Sequence, residues 1–284
     1  MVTNAPKRNM LRRKLLRDMA ANWKAFAAML ILCMLSVTLW LGINDAARGM
    51  DIGLTRLFDE SNLANLWISG AISDQRAREI ARLPGAMVAQ RRVRLRAKVD
   101  LPGDPKLDIF MFDGDAGISK PLLLSGSALT ADARGACLLD RKFAEAMGIS
   151  VGDRITVTAG GVRRELRVSG ICYSPEYVVH SDGYSFNVDP HTFGYGFVAP
   201  GTLSDLPYNE TVVALSPGAD ENAVKREVEA LIDDTTILVA TRDDRAYIKM
   251  AVEEADQVHA MGEIFPSVFF LVAALITFST MRRL

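Results

Sequence analysis

The stretch AFAAMLILCMLSVTLWLGIN, residues 25–44, contains no charged side chain, and neither does IFPSVFFLVAALITFSTM, residues 264–281. At 1.5 Å per residue, a helix of the first stretch covers the roughly 30 Å hydrocarbon core of a bilayer, and a helix of the second just reaches across it. Trp23 and Trp40 lie near the two ends of the first stretch, where indole rings favour the membrane interface. The two stretches therefore predict two transmembrane helices.

Basic residues lie on the outer side of both stretches. Seven Lys and Arg precede the first stretch, and Arg282 and Arg283 follow the second. Because Lys and Arg are enriched in cytoplasmic flanks, both termini are predicted to be cytoplasmic. The predicted segments are a cytoplasmic amphipathic basic segment (1–24), a transmembrane helix (25–44), an extracytoplasmic domain with helical stalks (45–263), a second transmembrane helix (264–281) and a cytoplasmic end (282–284).

Two other interpretations of the apolar stretches stay open at this point. A basic region before an apolar run is also typical of a cleaved signal peptide, although 20 uncharged residues exceed its usual apolar region of about 7 to 15. A core helix of a large soluble protein can be equally apolar. The second stretch gives the weaker signal, because it is shorter and contains Pro266 and several hydroxyl side chains.

The first 24 residues predict an amphipathic helix at the cytoplasmic membrane surface. Apolar side chains recur every four residues beside a group of basic ones, which are Leu11, Leu15 and Met19 beside Arg12, Arg13, Lys14 and Arg17. Such a helix can lie on anionic lipid or contact a cytosolic protein.

The central segment predicts an α+β domain. ANLWISG (64–70), SDQRAREIARL (73–83) and the alternating residues 92–101 indicate one β-α-β unit. TVVALS (211–216), ENAVKREVEALIDD (221–234) and TILVA (236–240) indicate a second, and TRDDRAYIKM (241–250) starts a helix with Thr241 as its N-cap. Short apolar runs from Pro121 onwards predict a small mixed or barrel-like β subdomain inserted between the two units.

Three features of this domain allow two interpretations each. Residues 92–100 place a basic stripe on one strand face, which is either solvated or binds an anionic lipid or substrate. The aromatic segment GYSFNVDPHTFGYGF, residues 183–197, either contacts a substrate or partner or packs against its own domain. Cys137 and Cys172 could form a disulfide in an oxidising compartment, but the sequence does not give the distance between them.

Several classes of function are not indicated. With 33 Lys and Arg against 34 Asp and Glu, the chain has no overall basic charge for nucleic acid. It has no G-x-x-x-x-G-K-[ST] loop for ATP and no G-x-S-x-G elbow, and its three histidines lack metal-ligand spacing. We expect no catalytic site, no cofactor and no metal, so any energy from ATP must come from a partner.

The order of several segments resembles FtsX-like ABC transporter permeases, which include the MacB group. The resemblance covers nearly the whole chain, and its segments after the first span are NLANLW (62–67), MGISVGDRITV (147–157), SPEYV (174–178) and FPSVFFLVAAL (265–275). It implies a bacterial inner-membrane permease with a periplasmic core domain, paired as a homodimer or heterodimer and served by a cytosolic ATPase. Members of the family continue into further spans, so we expect this chain to be an N-terminal part.

Two candidate sites are predicted, the first from this resemblance and the second from the chemistry of proline. Arg12, Arg13, Lys14 and Arg17 lie nearest to a cytosolic ATPase. Pro266 has no N–H for the carbonyl of Gly262, which predicts a hinge between stalk and membrane helix, although Pro266 can also mark the start of a helix. A different function class, a membrane sensor with a ligand-binding domain between two spans, fits the same arrangement.

Overall fold

A computed structural model describes residues 13–283 apart from residues 15, 18, 19, 184 and 186; the side chains of residues 25, 246, 247, 277, 280, 281 and 283 are also not described. The chain divides into two units, which are residues 1–53 with 253–284 and residues 54–252. We call them the helical unit and the mixed unit.

Two long helices supply the helical unit and continue into the mixed unit. Helix α1 comprises Trp23–Ser61 (39 residues), and helix α5 comprises Ala246–Arg283 (38 residues). Both are long and apolar enough to cross a membrane. Ser36 and Thr38 donate their hydroxyl hydrogen bonds to carbonyls four residues earlier, so these polar groups are satisfied within the helix. The helix expected to start at Thr241 begins instead at Ala246, because Thr241 ends a strand.

The mixed unit is built on one ten-stranded sheet. Its strands are β1 (Leu66–Ser69), β2 (Ala86–Val99), β3 (Lys106–Phe112), β4 (Leu122–Gly126), β5 (Ala136–Asp140), β6 (Arg154–Ala159), β7 (Val162–Tyr173), β8 (Phe193–Val198), β9 (Glu210–Leu215) and β10 (Leu238–Thr241). Its shorter helices are α2 (Asp74–Ile80), α3 (Arg141–Met147) and α4 (Glu221–Ile232), with a 3-10 turn at Pro175–Tyr177.

The two predicted β-α-β units interlock at one end of the sheet. The strand order there is β10-β1-β9-β2, and every neighbouring pair is antiparallel. Each unit therefore encloses a strand of the other, which is the split arrangement of ferredoxin-like folds. Side-chain caps start both helices, since Ser73 accepts from the N–H of Arg76 and Asp220 accepts from the N–H of Asn222.

The predicted β-rich insertion closes into a barrel. The end of β2 pairs with β3, and successive pairs β3-β8, β8-β5, β5-β7, β7-β6 and β6-β2 complete a ring of strands. A buried apolar cluster that includes Val99, Ile109, Val157 and Val168 belongs to these strands. The α+β domain with an inserted barrel-like subdomain is therefore confirmed. Local sequence pattern did not indicate β3 and β8, and all of β8 except Val198 lies within the aromatic segment 183–197.

Candidate functional site

The predicted ATPase contact lies at the start of the helical unit. Arg13, Lys14 and Arg17 are helical and exposed. Arg12 and the apolar stripe, which comprises Leu11, Leu15 and Met19, lie outside the described residues. The ATPase contact and the amphipathic helix therefore stay predictions.

Gly262 and Pro266 both lie on a buried face of α5. A Cβ atom on Gly262 would lie 3.1 Å from Cγ2 of Ile43, so the missing side chain lets α1 and α5 approach closely. Pro266 lies inside α5, so the alternative that it marks a helix start is wrong. The proline leaves the carbonyl of Gly262 without its usual helical donor. The hinge itself stays a prediction.

A polar contact joins the two helices close to Gly262. Nε2 of His259 lies 2.6 Å from a carboxylate oxygen of Asp51, and both side chains are about half exposed. The small side chains of Ala47 and Ala255 are buried in the same unit. Close helix packing on small residues with one interhelical polar contact is typical of membrane-associated helix pairs.

The end of α1 belongs to the mixed unit and forms hydrogen bonds with the loop of residues 117–120 there. The backbone carbonyls of Ser61 and Asn62 accept from the N–H groups of Lys120 and Ser119, both at 2.8 Å. The side-chain amide of Asn62 donates to the carbonyl of Gly117 at 2.9 Å. These bonds satisfy carbonyls that a helix end leaves free, so the last turn of α1 is held firmly.

The start of α5 is fixed beside it. Arg242 donates to the backbone carbonyls of Ala64 and Leu63 at 3.0 and 2.7 Å, and its guanidinium lies 6.0 Å from the ring centre of Phe58. Arg245, the residue before the helix, donates to Glu210 at 3.1 Å. We call these contacts at the two helix ends the helix-root site.

Glu210 belongs to a buried ionic network that reaches into the sheet. Arg92 donates two hydrogen bonds to Glu176, at 2.7 and 2.8 Å, and one to Glu210 at 2.6 Å. All three side chains are at least 96% buried, since their exposed fractions are 1%, 2% and 4%. The guanidinium of Arg92 also lies 4.7 Å from the ring centre of Phe110. Buried charges persist in a fold only with such complete pairing.

The network keeps both glutamates ionised. Burial alone would raise the pKa of Glu210, but the guanidinium groups of Arg92, Arg94 and Arg245 outweigh it and lower the pKa to about 2. Burial likewise opposes ionisation of Glu176, and Arg92 outweighs it to lower that pKa. The charges of this network are therefore paired with one another, and neither glutamate exchanges a proton near neutral pH.

The basic stripe divides along β2: Arg96, Lys98 and Asp100 are exposed, as expected of a solvated strand face, whereas the part at Arg92 and Arg94 is buried or half-buried. Arg92 is buried, and Arg96 donates to both oxygens of Asp108, at 2.7 and 3.1 Å, where Tyr177 also donates. Arg94 donates to Glu210. The acids that neutralise the stripe come from distant strands and from the 3-10 turn, which local sequence does not reveal.

A second buried polar cluster packs below the loop after β7. Asp140 caps α3 by accepting from the N–H groups of Lys142 and Phe143, and His180 Nδ1 lies 3.6 Å from its carboxylate. Tyr195 accepts a hydrogen bond from the N–H of Ser174. Burial is the main cause that raises the pKa of Asp140. Among the described residues, no group of three or more His, Cys, Asp and Glu could hold a metal ion.

The aromatic segment packs against its own domain where the structure describes it. Phe193, Tyr195 and Phe197 alternate with glycines in β8 and are buried. Cys137 and Cys172 are buried free thiols, so the disulfide is not formed. Burial raises the pKa of Cys137 to about 12, which makes this thiol unreactive.

One open cleft lies on the barrel side of the mixed unit. Its volume is about 500 Å³, and Phe112, Leu138 and Phe197 line it together with residues of two loops, 114–121 and 128–132. The rings of Phe112 and Phe197 are parallel to within 3°, with centres 6.1 Å apart. Local sequence does not reveal this apolar cleft, because its two loops carry no motif and come together only in the fold.

Comparisons with known proteins find a matching family model and similar solved structures. A family model described as MacB-like periplasmic core domain matches residues 26–231. The periplasmic region of MacB from Actinobacillus actinomycetemcomitans is 13% identical with a TM-score of 0.40, over 69% of this chain and 95% of that one. The extracellular domain of the noncanonic ABC-type transporter YknZ from Gram-positive bacteria is 12% identical with a TM-score of 0.43, over 63% and 99%. No similar sequence is found among the curated proteins.

Proposed function

The chain belongs to the family of MacB-like periplasmic core domains, and from this membership we propose that it is the permease subunit, or the N-terminal part of one, of an ABC transporter. The observation that carries the proposal is the match over residues 26–231, flanked by two helices that are able to cross a membrane. The subunit is a transporter component rather than an enzyme. Its mixed unit lies outside the inner membrane, and both termini lie in the cytoplasm.

In this proposal a cytosolic ATPase supplies the energy. Arg13, Lys14 and Arg17, with Arg12 before them, contact the ATPase or the anionic lipid beside it. Two permeases, identical or different, pair in the membrane. ATP hydrolysis then moves the outer domain for export, extraction or mechanical signalling, and Gly262 and Pro266 act as the hinge of that movement. The sensor alternative gains no support from any contact described above.

The helix-root site supports such a role for the mixed unit. A helix can transmit force to a domain only if its end does not slip, and both helix ends are held by several hydrogen bonds. Arg242 bonds to the chain that follows α1, while Arg245 bonds to the buried Glu210. Charge-assisted hydrogen bonds are directional and roughly twice as strong as neutral ones.

Purification of the chain from its native membrane tests the ATPase contact. We expect a P-loop ATPase to co-purify with the wild-type chain and to be lost when Arg13, Lys14 and Arg17 are changed to Glu. Arg48→Glu is the matched control, because Arg48 is exposed on α1 beyond the predicted first span. Loss of the ATPase in the control, or its retention in the triple variant, would contradict the contact.

ATPase stimulation in nanodiscs tests the hinge. Gly262→Leu places a side chain against Ile43 and is expected to uncouple ATP hydrolysis, whereas Gly42→Leu enters open space in the same pair of helices. Pro266→Ala restores the missing N–H and is expected to reduce coupling. Unchanged ATP-linked activity in Pro266→Ala would remove the hinge.

A further inference from the structure

The apolar cleft continues into an unpaired sheet edge. Strand β4 ends the sheet order, and within the described part of the chain its one partner strand is β7. Leu123 lines the cleft and belongs to β4, where its exposed fraction is 41%, and the neighbouring Leu124 is 47% exposed. The edge and the cleft therefore form one surface.

Gly170 on β7 creates the junction between them. A Cβ atom at Gly170 would lie 2.7 Å from Cδ1 of Leu123 and 2.9 Å from Cδ2 of Leu138. The missing side chain allows these two leucines to approach each other across β7. Leu123 of the edge strand thus joins the cleft floor that Leu138 and Phe197 form.

The sequence of β4 carries no residue that protects an edge strand. Natural edges carry Lys, Pro or inward charges, are very short, or are bulged, and these features hinder pairing with another chain. Strand β4 reads LLLSG and contains none of those residues, although its pairing with β7 shifts register between Leu123 and Ser125. The opposite edge strand, β10, is shorter and reads LVAT.

The free edge of β4 presents backbone N–H and C=O groups, and these groups determine which kind of ligand can pair with it. Only another extended polypeptide can satisfy these groups in series, and a lipid or small amphiphile cannot. The cleft volume of about 500 Å³ lies within the range of about 300–1,000 Å³ that is typical of ligand sites. It therefore has room for several apolar side chains of such a segment.

Charge indicates the composition of that segment. The charged residues that line the cleft are Asp115, Asp132 and Lys120, so the lining is net negative. Neither carboxylate forms an ion pair within the described part of the chain. A second copy of β4 carries no basic residue to meet them. The complementary partner is therefore a basic segment of a different polypeptide.

We propose that the free edge of β4 and the apolar cleft bind an extended, basic segment of a partner polypeptide. The segment adds one strand to the sheet. Its alternate apolar side chains pack on Phe112, Leu138 and Phe197, while its Lys or Arg residues face Asp115 and Asp132. This surface goes beyond the proposed function, since its binding requires neither the ATPase nor ATP.

Fluorescence anisotropy tests the surface with the full chain in nanodiscs and a short labelled peptide of alternating Val and Lys. We expect saturable binding that weakens about tenfold or more in Ala128→Trp, which fills the cleft. Asp132→Lys is expected to weaken binding of the Val–Lys peptide and to strengthen binding of a peptide of alternating Val and Glu. Leu238→Asp on β10, which has 67% exposure at the opposite edge, is the matched control and is expected to bind like wild type.

A peptide of the same sequence with methylated backbone nitrogens separates strand addition from simple apolar contact. It keeps the side chains but cannot pair with β4, so we expect its binding to be lost. Equal binding of the methylated peptide, equal weakening in Leu238→Asp, or displacement by a zwitterionic amphiphile would overturn the proposal. Ala128 and Asp132 are exposed loop residues, so their variants are expected to fold.

Discussion

Replacement of Arg92 by Met is the sharpest test of the buried ionic network. Arg92 is the ionic partner of Glu176 and shares Glu210 with Arg94 and Arg245. The variant leaves Glu176 buried and without its guanidinium, while Glu210 keeps two. Removal of one partner from a buried ion pair typically costs about 3–5 kcal/mol, so we expect the free energy of unfolding to fall by about 4 kcal/mol.

A fall of this size is a large fraction of a domain's total stability of about 5–15 kcal/mol. With a urea dependence of about 2 kcal/mol per molar, the unfolding midpoint moves down by about 2 M. Pulse proteolysis of the full chain in nanodiscs measures this midpoint without isolating the domain. Arg154→Met is the matched control, because Arg154 and Glu165 pair on an exposed strand face and such pairs contribute at most about 1 kcal/mol.

The double variant Arg92→Met, Glu176→Leu distinguishes an unpaired charge from lost packing. If the cost comes from the charge of Glu176, the double variant is more stable than Arg92→Met alone. Mild acidification should also stabilise Arg92→Met. Without Arg92, burial raises the pKa of Glu176, so protonation of Glu176 at mildly acidic pH removes the buried charge. A cost below about 1 kcal/mol for Arg92→Met, or a double variant less stable than the single one, would refute the reasoning.

Three further predictions concern the mixed unit. The lowered pKa of Glu210 contributes stability that is fully present above its unfolded value of 4.5 and is lost as the pH falls towards about 2. In an acid titration followed by proteolysis, the loss of stability should be smaller in Glu210→Gln than in the wild type by roughly 3 kcal/mol. Gly126→Ala places a Cβ atom 2.2 Å from the carbonyl oxygen of Ser169 and should destabilise the mixed unit by roughly 3 kcal/mol or more. Gly103 has nearly the same φ but open space around it, so Gly103→Ala should lower the urea midpoint less. Equal shifts in the two variants would contradict the packing argument. Cys137 and Cys172 are buried, so maleimide should label them only in urea, and labelling of the folded chain would contradict their burial.

The local spacing of apolar residues was sufficient to predict the two strand-helix-strand units. Leu66, Ile68 and Val213 belong to one buried cluster with residues of α2 and α4, as their apolar spacing indicates. The N-cap residues of α2 and α4 agree with the helix starts that the apolar spacing indicates. Ser73 and Asp220 accept hydrogen bonds from N–H groups in the first turns of these helices. The insertion was also recognisable, since its short runs are bounded by glycines and polar residues.

Strands whose two faces are both buried were harder to recognise. Strand β3 reads KLDIFMF and β8 reads FGYGFV, and neither alternates between polar and apolar residues along its whole length. In β8 the glycines are required by packing, because a Cβ atom on Gly194 would lie 2.5 Å from Cβ of Phe143. A glycine-rich aromatic run therefore looked like a loop, although close packing of α3 on the barrel explains its composition.

The same limit applies to the functional residues and explains why Arg92 was misjudged. Alternation correctly assigned Arg92 to the face opposite Val93, but the environment of that face depends on Glu176 and Glu210, which are distant in sequence. Arg245 completes the set immediately before α5. The charge that precedes α5 thus bonds to a carboxylate that Arg92 of the sheet already holds, and in the proposed function α5 transmits force. We therefore expect Arg245→Met to uncouple ATP hydrolysis with a smaller loss of stability than Arg92→Met, because Glu210 retains Arg92 and Arg94 in that variant.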